Sequence, residues 1–304
     1  MIPVVLDCDP GHDDVLAILL AAAHPAIDLR AITTVAGNGT LEQVTGNALR
    51  VCTLAGITGI PVAAGQARGE VATAPEIHGA SALDGADLPE PADLLSDDDA
   101  VTVMERLLEE TPLTIIATGP LTNVAALLAR RPDLTPRIVF MGGSCGRGNW
   151  RPLAEFNIWA DPEAADRVLT SGLPVTMCGL DVTHQATATP DIFQRLRTIG
   201  TPLAGTMAEL LRFFASTYDS VFGMPDPPVH DPVAVAAVAQ PDLLRFVDVP
   251  VAVELAGTHT RGATVVDLHG VTRRPANARV ALELDRAGFW DLMLTAIERL
   301  GRES

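Results

Sequence analysis

Val4-Val5-Leu6-Asp7-Cys8-Asp9-Pro10-Gly11-His12-Asp13-Asp14 lies near the start of the chain and decides the reading of its fold. The apolar run at residues 4–6 predicts a short buried strand, and Pro10-Gly11 is the turn that ends it. Residues 15–23 continue in a helical pattern. Four carboxylates thus fall within eight residues, at the carboxyl end of a strand and the amino end of a helix. An open α/β sheet usually has its site there. Asp13 and Asp14 could serve simply as acids at a helix start, where negative charge is favoured. Four acids around one Pro-Gly turn ask for more, because such a density of like charge is costly unless a cation or a hydroxyl-rich ligand sits among them.

The same unit recurs downstream. Residues 28–35 read as a strand ending in Ala36-Gly37-Asn38-Gly39, followed by a helix over 41–55 and a short strand at 61–64. Residues 65–99, rich in Gly, Pro and acids, read as an excursion over the sheet. A helix over 101–109 leads to a strand at 113–117 that ends in Thr118-Gly119-Pro120-Leu121-Thr122-Asn123, then a helix at 124–129. The strand at 137–141 closes on Met141-Gly142-Gly143 and a loop with Asn149, Glu155 and Asn157. A helix at 162–169 and a strand at 174–178 follow, then helices at 203–218 and behind His230-Asp231-Pro232. This alternation predicts an α/β fold: one domain over residues 1–304 with an open, mostly parallel, Rossmann-like sheet flanked by helices. Two late strands, near 263–268 and 279–284, suggest a small antiparallel extension.

Composition narrows the function classes. With 304 residues and 48% hydrophobic content, the chain can bury a large core. No apolar span of 18 residues escapes breakers or charge, and no basic segment precedes an apolar one at the amino end. The expectation is therefore a cytoplasmic protein with neither membrane helix nor signal peptide. Cys8, Cys52, Cys145 and Cys178 show no metal-ligand or disulfide spacing and read as small buried hydrophobes. A net charge of −17 argues against nucleic acid as a partner but leaves room for a nucleoside, which carries no phosphate.

If the strands are parallel neighbours, their carboxyl-end loops open on one edge. Asp7, Asp9, Asp13, Asp14, Asn38, Thr118, Asn149, Glu155 and Asn157 then converge. All are oxygen donors, a set suited to calcium or magnesium and poor for zinc. His230-Asp231-Pro232 reads either as a helix start capped by Asp231 or as a proton-transfer group held beside the acids.

Together, Asp7 to Asp14, Ala36-Gly37-Asn38, Thr118 to Asn123, Met141-Gly142-Gly143, Glu155-Phe156-Asn157 and Val229-His230-Asp231-Pro232 resemble the inosine-uridine-preferring nucleoside hydrolase family. Ala22 to Pro25 and Ile77-His78-Gly79 through Gly85 are most similar to its bacterial pyrimidine-preferring members. The resemblance implies the nucleoside hydrolase fold and a calcium ion held by Asp9, Asp14, Asp231 and the Thr118 carbonyl. A water completing the sphere would be the nucleophile and Asp9 its general base. Asp13, Asn38, Asn149, Glu155 and Asn157 would surround the ribose, with Met141 beneath it. His230 would stand on the nucleobase side as leaving-group acid, with His78, Tyr218 and Phe222 as base-pocket candidates. The implied reaction is hydrolysis of the N-glycosidic bond of a ribonucleoside, with uridine and cytidine ahead of inosine. A broad or purine-preferring hydrolase and a non-catalytic nucleoside-binding module are the alternatives. The family further implies a homo-oligomer, dimer or tetramer.

Such a set suits a reaction that passes through a cation-like ribose, which surrounding carboxylates stabilise more than neutral substrate. Direct attack by water predicts inversion at the anomeric carbon. An aspartate-nucleophile phosphatase also carries Asp-x-Asp after its first strand, but it needs a later lysine, and this chain contains none. Two departures from the family pattern stand out. Ala82 occupies the second glycine of a His-Gly-x-x-Gly-Leu loop, harmless only if its φ stays negative. Phe222 stands where pyrimidine-preferring relatives place a tyrosine.

Overall fold

Val4, Val5, Leu6 and Cys8 are wholly buried, so β1 (Ile2–Cys8) runs through the interior of a sheet with both faces covered. The structure is a computed structural model and describes residues 1–66, 73–92 and 95–303. To one side of β1 lie β2 (Ile27–Thr34) and β3 (Val62–Ala64). On the other lie β4 (Thr114–Ala117), β5 (Arg137–Met141) and β6 (Val175–Cys178). These six strands are parallel.

The chain travels outward from β1 through β2 to β3, then returns to set β4 against β1 on the opposite side. Strand order therefore reverses between β1 and β4. At such a switch point the following loops diverge and open a crevice. Asp7 pairs in register with Ala117, so Asp9 and Thr118 leave the sheet side by side at that crevice.

Helix His12–Ala23 buries nearly every residue. It packs against the Asp231–Ala239 helix, whose residues from Asp231 to Val238 are all buried. A helix apolar all round belongs inside a core, and this one brings the late His230-Asp231 pair up to the first acidic loop.

The antiparallel extension is present, but the two late strands expected to share it are separate. Of β7 (Leu244–Val249), β8 (Val251–Val253), β9 (Thr264–Val266) and β10 (Ala278–Leu284), β8 and β9 form a two-stranded antiparallel sheet of their own. β10 joins the main sheet parallel to β6, with β7 antiparallel at the edge. β7 was not evident from sequence because exposed charges, Arg245 and Asp248, break its apolar run on both faces, as edge strands often carry. The helix Arg286–Glu303, also unread from sequence, packs on the His12–Ala23 helix.

Part of the excursion at 65–99, residues 67–72 and 93–94, lies outside the described residues. The rest contains the short helix Pro75–His78. Among the described residues, no helix is long and apolar enough to cross a membrane.

Candidate active site

The four acids of the opening motif separate into distinct tasks. Asp7 turns into the core, where its Oδ1 accepts from Thr33 Oγ1 at 2.7 Å and from Asn123 Nδ2 at 2.8 Å. Asp14 works as the helix-start acid that sequence reading considered. It accepts from the Gly11 amide at 3.1 Å and the Asp9 amide at 3.3 Å, and also from Thr118 Oγ1 at 2.8 Å. Asp13 has a different partner, the His230 amide at 3.1 Å.

Asp9 accepts from the Asn38 amide through Oδ2 at 2.7 Å, while its buried Oδ1 has no hydrogen-bond partner among the described residues. Gly37 and Gly119 flank this carboxylate. A Cβ on Gly37 would fall 2.1 Å from Asp9 Oδ2, and one on Gly119 2.6 Å from Oδ1. Both positions admit only hydrogen there.

Asp231 is the first residue of its helix, and His230 is the cap residue, with no side-chain capping bond. The capping role considered for Asp231 is therefore not the one it plays. Its carboxyl faces the other acids instead, and oxygens of Asp13, Asp14 and Asp231 lie within 4.8 Å of one another. Burial first, and the neighbouring acids second, push Asp9 and Asp231 well above the usual carboxylate range and Asp13 up to about 7. In the protein alone burial therefore favours the protonated forms of Asp9 and Asp231.

That cluster fits a divalent cation on two observations of its own. Asp9 Oδ1 is buried without a donor, and the donors are all oxygen, as a hard cation such as calcium prefers. A bound cation would reverse the upward shifts, since opposite charge favours the ionised acids.

The wall beyond the acids comes from the β5 loop. Glu155 caps helix Phe156–Ala160 and accepts from the amides of Gly143, Asn157 and Ile158 at 2.9, 2.9 and 3.1 Å. Burial still holds its carboxyl up at about 7. Asn157 Nδ2 donates to the Thr118 carbonyl at 2.7 Å and to the Met141 carbonyl at 3.2 Å, tying β4 to β5. Asn149 Oδ1 accepts from the Phe156 amide at 3.0 Å.

Opposite stand the rings. His230 is engaged at both nitrogens, Nδ1 with Thr183 Oγ1 at 2.8 Å and Nε2 with the Tyr218 hydroxyl at 2.7 Å. Burial holds it neutral, with a pKa well below the usual histidine value. His78 is likewise held neutral by burial and lies against His12 and Phe214, ring centroids 5.3 and 5.7 Å apart. Phe222, 37% exposed, packs on Tyr218 at the end of helix Pro202–Phe222. These groups line one pocket with Asp13, Glu155 and Asp231, and it is open to solvent; apolar rings on one side and a few convergent polar groups on the other are the usual make-up of a small-molecule site.

Of the residues expected in the site, Asp13, Asn38, His78, Thr118, Met141, Asn149, Glu155, Asn157, Tyr218, Phe222, His230 and Asp231 all line that pocket. Asp9 and Asp14 lie beneath it, bonded to Asn38 and Thr118. Sequence reading missed Thr183, His12 and Asn123. Thr183 follows the β6 strand end, where a polar residue could have been noticed. His12 and Asn123 sat inside the quoted motifs without an assigned role. His12 donates from Nε2 to the Asp84 carbonyl at 2.7 Å and so ties the His78 loop to the first helix. The condition set on Ala82 fails, because its φ is +64°.

Comparison with known proteins places this geometry. A family model described as inosine-uridine preferring nucleoside hydrolase matches residues 4–291. The chain is 46% identical over 300 residues to the pyrimidine-specific ribonucleoside hydrolase RihA of Photobacterium profundum, covering 96% of this chain and 97% of that protein. It is 48% identical over 301 residues to the protein of the same name from Escherichia coli O9:H4, with the same coverage. Among solved structures, the purine-preferring ribonucleoside hydrolase from Gardnerella vaginalis superposes with a TM-score of 0.93 at 31% identity, over 99% of this chain and 100% of that one.

Proposed function

This chain belongs to the inosine-uridine preferring nucleoside hydrolase family, and on that premise we propose that it hydrolyses the N-glycosidic bond of uridine and cytidine in preference to inosine. The observation that carries the reaction is the buried set of oxygen donors around a carboxylate oxygen without a partner, Asp9 Oδ1. The likeness to proteins named pyrimidine-specific supports the base preference. Geometry favours neither base class, since the purine-preferring enzyme from Gardnerella vaginalis has the same fold.

Asp9, Asp14, Asp231 and the Thr118 carbonyl would hold calcium, leaving Asp13 to the ribose hydroxyls. When bound, calcium supplies a fixed seat for the ribose diol and lowers the pKa of a water. Asp9 takes the water proton. The Glu155 carboxylate, fixed by three amides, stabilises the positive charge that grows on the ribose. Asn157 and Met141 support the sugar from below, with Asn38 and Asn149 at its flanks. Water attacks the anomeric carbon directly, with inversion.

On the base side, His230 and Tyr218 act as a pair, because the tyrosine hydroxyl already occupies Nε2. Tyr218 therefore supplies the hydroxyl that Phe222 lacks, with His78 as a further base contact. With this reading go a single domain over residues 1–304, a homo-oligomer, a cytoplasmic location and no nucleic-acid partner. The test is a panel of uridine, cytidine, inosine, adenosine and thymidine assayed for free base, before and after chelation and with calcium restored. Ribonucleosides should react, thymidine poorly for lack of its 2′-hydroxyl, and chelation should abolish the activity. Full activity in protein shown metal-free by elemental analysis would sink the mechanism.

A further inference from the structure

We propose that His12 fixes the tautomer of His78, holding its proton on Nδ1 so that His78 offers a bare Nε2 to the base as a hydrogen-bond acceptor; naming a base as the partner rests on the nucleoside reading above. His12 is a positioning residue in this role, since it acts only through His78.

The two rings form a chain that starts at a fixed point. His12 Nε2 lies 2.7 Å from the Asp84 carbonyl, and a carbonyl can only accept. His12 therefore carries a proton on Nε2. His12 is 1% exposed and His78 5%, and charge is costly at such burial, so each ring holds a single proton. That leaves His12 Nδ1 bare.

His78 Nδ1 stands 3.1 Å from His12 Nδ1. The ring centroids are 5.3 Å apart with 19° between the planes, and the gap between the nitrogens is close to the shortest that this separation permits. Each ring thus aims Nδ1 straight at the other. Two bare nitrogens would repel there, whereas a proton on His78 Nδ1 makes the contact a hydrogen bond. The His12 amide, 3.3 Å from His78 Nδ1, approaches beside this axis.

The chain is held in place on all sides. Phe213 and Phe214 lie at 8° and 7° to the His12 plane, with centroids 5.2 and 5.3 Å away, and the Asp84 amide donates to the His78 carbonyl at 3.0 Å. A Cβ on Gly11 would fall 2.7 Å from both Nδ1 and Cε1 of His78, so that edge of the ring is closed. His78 lines the pocket; its Nε2, on the far edge, has no partner among the described residues and yet is not sealed off from solvent. Uracil, cytosine and hypoxanthine each carry an N–H that a bare Nε2 can accept. His78 then binds the base without being able to protonate it, which leaves that proton to His230 and Tyr218.

The ¹⁵N spectrum of the seven histidines in the intact protein, with His78 assigned through His78→Gln, reads the tautomers without any substrate. His78 should carry its proton on Nδ1 and His12 on Nε2. A proton on Nε2 of His78 would overturn the proposal.

Two variants separate the tautomer from the tie to Asp84. His12→Gln puts an amide where histidine has Nε2, so it keeps the tie but has no acceptor for His78 Nδ1. The backbone amide of residue 12 can then take that nitrogen, and His78 should switch to its Nε2–H form, with a loss of about tenfold in kcat/KM on uridine. His12→Asn puts its carbonyl oxygen where histidine has Nδ1. It loses the tie but should keep the parent tautomer and stay within about threefold of the parent kcat/KM. An unchanged His78 tautomer in His12→Gln, or a larger loss in His12→Asn than in His12→Gln, would overturn the proposal. A parent enzyme inert towards uridine, cytidine and inosine would instead strike the nucleoside reading, while the tautomers would still be decided by the spectra.

Discussion

The acidic floor and the aromatic wall of the pocket are built by different means. On the floor, Asp9 and Thr118 follow two neighbouring strands in register, Asp14 sits in the first turn of the helix after the first of them, and bonds from backbone amides and small side chains orient their oxygens. The wall is assembled from distant segments: His78 from the excursion, Tyr218 and Phe222 from helix Pro202–Phe222, and His230 from the start of another helix. Every acid of the floor is at most 5% exposed, as are His78, Tyr218 and His230 of the wall, but the wall's outermost ring, Phe222, is 37% exposed. A floor pinned by a sheet suits the chemistry that all ribonucleosides share. A wall on helix ends and loops can vary with the base without disturbing that chemistry.

The most severe test of the floor is Asp9→Asn. It keeps an oxygen donor but removes the base, so kcat should fall about 10²- to 10⁴-fold on every ribonucleoside. Near-normal turnover would break the division between floor and wall.

The wall should respond selectively. His230→Ala should lower kcat/KM for inosine by about 10² and for uridine by less, because purine departure depends more on a proton at the ring. Equal losses on the two substrates would mean that His230 only shapes the pocket.

Stability gives a third contrast, this time among the buried acids in and around the floor. Folded carboxyls of Asp7, Asp13 and Glu155 titrate near 7 in the protein alone, against about 4 when unfolded. The folded state then binds more protons than the unfolded one, so stability is lost as pH rises between those values. Chelated protein should melt about 5–10 °C lower at pH 8 than at pH 5. Calcium should flatten that slope in part, through Asp13 beside its ligands, while Asp7 and Glu155 keep their share; a slope wholly independent of calcium would mean that the ion binds away from Asp13.

The smallest effect belongs to the wall. Ala82, at φ +64°, carries backbone strain in the loop next to His78. Ala82→Gly should relieve it, for a gain of about 1 kcal/mol or less after the extra entropy of an unfolded glycine. A clear loss of stability in thermal unfolding would show that the Ala82 methyl, buried at 2% exposure, does more by packing than it costs in strain.

Much of this was legible along the chain. Apolar runs ending in polar loops marked the parallel strands, because each strand must be buried on both faces and must release its functional groups at one end. The concentration of acid in Asp7 to Asp14 called for a cation, since nothing local could balance it. Oxygen-only donors specified a hard one.

Other features depended on long-range packing. No local rule separates Asp7, whose Oδ1 is held by Asn123 and Thr33 inside the core, from Asp9, whose Oδ2 is held by the amide of Asn38 at the crevice. The end of β1 at Cys8, and the neighbours that the strand and the following turn acquire, decide that. The pairing of β10 with β6 and β7, the strained φ of Ala82, and the contacts of His230 with Thr183 and Tyr218 likewise join residues far apart in sequence. Local pattern therefore determined which groups reach the sheet edge. Only the folded chain decided which of them meet, because hydrogen-bond partners and burial are properties of neighbours in space.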